Sequence, residues 1–131
     1  MLEEKILSQY HTVAVVGASP NPDRPSNQVT SYLVEQGYNV IPVNPTAPEI
    51  LGLTSYPGLR SIAEAVEVVD IFRKAEDVMP IVEEAIKIRA KVVWMQEGIV
   101  NDKAAAKAKE AGLLVVMDKC MRKEHMRLNN Q

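Results

Sequence analysis

A single cysteine, Cys120, rules out an intramolecular disulfide and a cysteine-rich metal site. His11 and His125 stand alone, with no Cys or acidic partner at ligand spacing, so no metal site is expected. No apolar run approaches the ~20 residues that cross a bilayer. The N-terminus, Met1-Leu2-Glu3-Glu4-Lys5, carries acids and lacks the apolar stretch of a signal peptide, so the expectation is a cytoplasmic protein. Charge of one sign is also scarce. The formal net charge of −2 gives no general attraction to nucleic acid or to anionic membranes. Internal repeats, low-complexity tracts and interdomain linkers are missing.

What is present is an ordinary globular composition, 47% apolar and 24% charged, in a length that suits one domain over residues 1–131. Short β-branched runs alternate with longer helical patterns. The expected strands are Thr12–Val16, Asn39–Val43, Val66–Phe72, Lys91–Met95 and Leu113–Met117. Several are nearly continuous Val, Ile and Leu, as in strands covered on both faces. Val29, Tyr32, Leu33 and Gln36 follow helical spacing, with Ser26 or Asn27 as N-cap and Gly37 as the stop. Further helices are expected over Val78–Arg89, with Asp77 as cap, and over Asp102–Ala111. Shorter ones are expected at Glu3–Tyr10, Ser61–Ala65 and Met121–Leu128. The fold class that follows is α/β: a Rossmann-like, doubly wound, mainly parallel five-stranded sheet with helices on both faces.

The first strand runs into Gly17-Ala18-Ser19-Pro20-Asn21-Pro22-Asp23-Arg24-Pro25-Ser26-Asn27. A buried strand that ends in glycine and opens onto a helix is how such folds receive phosphates. Glycine lets the backbone approach the ligand, the helix N-terminus offers N–H groups, and Arg24 adds a formal charge. An NAD site would carry three glycines here and an acid after the second strand. This turn has one glycine, and the second strand ends Val43-Asn44-Pro45. A P-loop is missing too. Strand carboxyl ends also bring Arg73-Lys74, Gln96-Glu97-Gly98 and Asp118–Met121 toward the expected crevice.

The whole series resembles the CoA-binding protein family, small single-domain relatives of the CoA-binding domain of succinyl-CoA synthetase α-subunits. The matching pieces are Val16-Gly17-Ala18-Ser19 with Arg24 and Ser26, Gly37-Tyr38, Pro42-Val43-Asn44-Pro45 and Glu49-Ile50-Leu51-Gly52. They continue through Val69-Asp70-Ile71-Phe72-Arg73, Trp94-Met95-Gln96-Glu97-Gly98-Ile99, and Cys120-Met121 with Glu124-His125. The resemblance implies that the turn from Gly17 to Asn27, with Gly17, Ala18, Ser19, Arg24, Ser26 and Asn27, binds the phosphates of coenzyme A. It also implies that Val43, Asn44 and Pro45 line the adenosine end and that Phe72, Arg73, Met95 and Gln96 lie near the ligand. One departure is Thr46, where the family often has lysine; the resemblance then implies that a charge contact to the nucleotide is either lost or replaced by Arg24, Arg73 or Lys74.

Other polar residues are read more plainly. Trp94 belongs to the core or the wall. Glu124 and His125 point to different faces of one helix, which argues against an acid–base pair. Glu97 and Asp118 are general-base candidates only alongside a substrate. Cys120, close to Lys119 and Arg122, is either a small buried hydrophobe or a thiol facing the ligand's own. The expected function is binding of CoA or acyl-CoA as a sensor, a carrier or a partner-dependent module without catalysis of its own. The ligation chemistry of the synthetase needs a second domain and a partner subunit. The alternative is a nucleotide-cofactor oxidoreductase, or a CoA-dependent acyl-transfer enzyme working with a partner.

Overall fold

The computed structural model describes residues 1–130. In chain order the elements are α1 (Leu2–Gln9), β1 (Thr12–Val16), α2 (Pro25–Glu35), β2 (Asn39–Val43), β3 (Glu49–Ile50), β4 (Leu53–Thr54), β5 (Val68–Ile71), α3 (Val78–Lys87), β6 (Val92–Met95), α4 (Asp102–Glu110), β7 (Leu114–Val116) and α5 (Met121–Asn129). Five strands form one parallel sheet in the order β2-β1-β5-β6-β7. This is the expected Rossmann-like doubly wound sheet. β3 and β4 form a small separate antiparallel hairpin.

Alternation along the strands sorts the side chains into two cores. Ala14, Val16, Val69, Ile71, Val93 and Met95 face one side, where Val78, Val82 and Ala85 of α3 and Ala104, Ala105 and Ala108 of α4 cover them. Val13, Val15, Val68, Val92 and Trp94 face the other, under Ile6 and Leu7 of α1, Val29 and Leu33 of α2, and Met121 of α5. Small alanines on α4 let that helix sit close to the sheet. Both faces are covered, which explains the unbroken apolar strands. Trp94 is fully buried and donates its indole N–H to the Lys119 carbonyl at 2.8 Å, so it is a core residue.

Several local expectations are corrected. The segment Ser61–Ala65 is not a helix. A single 3₁₀ turn lies at Leu59–Ser61, closed by the Ser61 amide and hydroxyl donating to the Gly58 carbonyl at 3.2 and 2.7 Å. α2 starts earlier than Ser26 or Asn27 because Pro25 takes its first position, where a missing N–H costs nothing. Asn27 instead donates its side-chain amide to the Ser19 carbonyl at 2.9 Å. Asp77 precedes α3 but makes no side-chain cap. A cap appears where none was expected: Asn101 Oδ1 accepts the Ala104 amide at 3.0 Å and starts α4.

Candidate functional site

The sheet order reverses between β1 and β5: the chain runs outward from β1 to β2, then returns to β5 on the other side. Ligands in open parallel sheets bind outside the carboxyl ends at such a switch point. Here those ends are Val16-Gly17 and Ile71-Phe72, drawn together by the Phe72 amide donating to the Val16 carbonyl at 2.8 Å. Gly17 has φ of +89°, and a Cβ built on it would overlap the Phe72 carbonyl oxygen. Only glycine fits there, for both backbone angle and space.

Two cavities flank this point. The larger, about 870 Å³, lies on the α2 and α5 side and includes Gly17, Ser19, Arg24, Ser26, Phe72, Arg73, Lys74, Gln96, Glu97, Cys120, Arg122 and Lys123 in its lining. The smaller, about 380 Å³, lies on the α3 side and includes Gly17, Val43, Pro45, Arg73, Asp77, Ile81 and Glu84. Gly17 and Arg73 border both. The residues singled out from the sequence therefore separate. Gly17, Ser19, Arg24, Ser26, Phe72, Arg73 and Gln96 gather at the larger cavity, and Val43 and Pro45 line the smaller.

Four others do not line either cavity. Ala18 is buried, and its carbonyl accepts the Asn44 side-chain amide at 2.8 Å. Asn44 Oδ1 in turn accepts the Thr46 amide, the Thr46 hydroxyl and the Ala47 amide at 2.8, 3.0 and 2.9 Å. Asn44 thus ties the β1–α2 turn to the loop after β2, and Thr46 is spent inside that knot. Asn27 braces the same turn through Ser19. Met95 is fully buried against α3 and α4 because strand alternation turns it away, and Gln96 takes the cavity side.

The turn's own amides are fewer than a strand–glycine–helix passage suggests. Gly17 and Ala18 both donate to the Val43 carbonyl, at 3.2 and 3.3 Å, and Asn27 donates to the Arg24 carbonyl at 3.1 Å. Pro20, Pro22 and Pro25 have no N–H. Among the described residues, the Ser19 and Ser26 amides are left without a protein acceptor. Side-chain charge dominates instead. The larger cavity is bordered by five cations, Arg24, Arg73, Lys74, Arg122 and Lys123, against one carboxylate, Glu97. Lys123 is paired with Glu97 at 2.8 Å, while among the described residues the other four meet no carboxylate. Arg122 lies over the Tyr32 ring, 5.8 Å from its centroid. In a chain of net charge −2, this concentration is local and faces one space.

The remaining candidates are structural. Asp118, at φ of +58°, accepts the Gly98 amide at 2.6 Å and holds the loop after β6. Glu124 pairs with Arg127 at 2.9 Å. The Tyr32 hydroxyl meets His125 Nδ1 at 2.7 Å, docking α5 on α2, and burial holds the His125 pKa below its ordinary value. Among the described residues no cluster of His, Cys, Asp or Glu could hold a metal ion, and no helix is long and apolar enough to cross a membrane.

Comparison with known families decides the kinship: a model described as CoA binding domain matches residues 11–126. The chain belongs to the CoA binding domain family. A family relative, the uncharacterized protein YneT of Bacillus subtilis, is 38% identical over 122 residues, 93% of this chain and 90% of its own. A hypothetical protein from Pyrococcus horikoshii has a solved structure that superposes with a TM-score of 0.94 at 49% identity, covering 97% of this chain and 89% of that one. The dinucleotide-forming acetyl-coenzyme A synthetase 1 of Ca. Korarchaeum cryptofilum matches at a TM-score of 0.77 and 25% identity, over 87% of this chain. This chain corresponds to only 27% of that enzyme.

Proposed function

We propose that this protein binds coenzyme A or an acyl-CoA, with the phosphates in the larger cavity and the adenosine toward the smaller one. The observation that carries this reading is the set of four cations, Arg24, Arg73, Lys74 and Arg122, that meet no carboxylate among the described residues and surround a crevice entered over Gly17. CoA brings a diphosphate and a 3′-phosphate, and charge-assisted bonds to such groups are the strong kind. The Ser19 and Ser26 amides supply the neutral donors. Arg73, bordering both cavities, stands where phosphate and adenosine meet, with Val43 and Pro45 beyond it. Asn44, Ala18 and Asn27 shape the turn, Phe72 and Gln96 floor the cavity, and Met95 supports that floor from the far face. Two features favour CoA over NAD: the single glycine and the missing acid after β2.

The role that fits such a binding domain is to sense CoA, carry it or present it to a partner. Titration of CoA into the Arg24→Ala variant tests the phosphate placement. A hydrogen bond to a charged group contributes about 1.5–3 kcal/mol, so affinity should fall by about tenfold or more. The deficit should shrink at high salt, where the native contact is already screened. A well-folded variant with wild-type affinity at low salt would move the phosphates elsewhere.

A further inference from the structure

Cys120 is the N-cap residue of α5, half-buried, and borders the larger cavity. Two polar side chains in the same lining, each 4% exposed, are incompletely satisfied by the protein. Gln96 uses its Oε1 to accept the amide of Met121, next to Cys120, at 3.2 Å, and among the described residues its Nε2 has no partner. The Ser26 hydroxyl has none either, and neither atom is sealed from solvent. Both therefore offer hydrogen bonds to whatever occupies the cavity, and Gln96 does so while holding the amide of the residue next to Cys120. The pantetheine arm of CoA carries amide carbonyls that accept such a bond, and it ends in a thiol.

We propose that Cys120 captures CoA covalently by thiol–disulfide exchange with a disulfide of CoA. The inference rests on the CoA site proposed above, which holds the nucleotide at Gly17 and Arg24 and leaves the arm to run toward α5. The Cys120 sulfur attacks the CoA sulfur of the disulfide. A new S–S bond joins Cys120 to CoA as the old one breaks, and the proton lost by Cys120 ends on the departing thiolate. One disulfide replaces another, so no further oxidant is needed. Cys120 sits at the α5 N-terminus, where the helix dipole favours an anionic sulfur, and Arg122 borders the same cavity. The protein would then retain CoA in oxidising conditions and release it to a reductant.

The test is intact mass after mixing the reduced protein with CoA disulfide and, in parallel, with glutathione disulfide. The expected product is one CoA adduct per chain, reversed by reductant and missing in Cys120→Ser. Positioning by the nucleotide should make CoA disulfide react at least about tenfold faster than glutathione disulfide. Arg24→Ala should slow the first reaction more than the second and so narrow the difference between them. Equal rates with both disulfides would overturn the proposal, since Cys120 would then be merely an accessible thiol. So would the lack of any adduct in a protein that binds reduced CoA, which leaves the binding reading standing. If reduced CoA does not bind either wild type or Cys120→Ser, both readings fall.

Discussion

Changing Gly17 to alanine should abolish measurable CoA binding and lower stability, whereas the same change at Gly37 should cost a little stability and no affinity. Both glycines have positive φ, +89° and +91°. An L-residue held in that region costs roughly 1–2 kcal/mol, and that part is common to both variants. Surroundings separate them. A Cβ at Gly37 meets nothing within 4 Å, whereas at Gly17 it overlaps the Phe72 carbonyl oxygen. Relieving that overlap means parting β1 from β5 at the switch point, and overpacking of this kind adds about 1–3 kcal/mol. The opening of the crevice changes with it. Urea denaturation and CoA titration of both variants measure the two effects separately. A Gly17→Ala protein with wild-type stability and affinity would show that the close approach has no role.

Asp70→Asn should make the protein more stable than wild type at neutral pH, by a margin that widens as pH rises. Asp70 is fully buried in β5, between Val15 and Trp94 in register on the neighbouring strands. Neither carboxyl oxygen has a partner among the described residues, and burial pushes its pKa well above the ordinary carboxylate value. The folded state therefore keeps a proton that the unfolded chain releases above its own pKa. Stability is fully present below the unfolded pKa and is lost as pH climbs toward the folded one, at about 1.4 kcal/mol per pH unit for one proton. Asparagine keeps the shape and cannot ionise. Unfolding free energies from pH 5 to 8 should fall more steeply for the wild type than for the variant. Parallel curves would mean that Asp70 titrates alike in both states.

The main sheet is legible because its strands are buried on both faces and read as runs of Val and Ile. The β3–β4 hairpin escapes such a reading. Its strands have two residues each, and Leu51, not an obvious turn former, takes a φ of +53° at the turn. The start of α2 is misread because Ser26 and Asn27 are good caps by type, yet Pro25 takes the first helical position and makes Arg24 the cap, two residues before Ser26. Much of the larger cavity's border is also visible in the chain, because Gly17, Phe72, Arg73 and Gln96 all follow strands. Met95 is not separable from Gln96 by position alone; the parity of β6 decides which one faces the cavity. Arg122 and Lys123 could not be placed on the crevice from local sequence. They reach it because α5 packs back onto α1 and α2, through His125 and Met121. The bracing role of Asn44 is hidden from the sequence, because its side-chain amide donates to the Ala18 carbonyl 26 positions away.

Thermal unfolding with CoA, acetyl-CoA, NAD, NADP and ATP at matched millimolar concentrations distinguishes a crevice for coenzyme A from one for NAD. A ligand that binds only the folded state at about a hundred times its Kd adds ~2.7 kcal/mol, which raises Tm by several degrees in a domain of this size. CoA or acetyl-CoA should produce that rise in the wild type and not in Gly17→Ala, while NAD and NADP leave Tm where it was. A rise with NAD and none with CoA or acetyl-CoA would contradict the account.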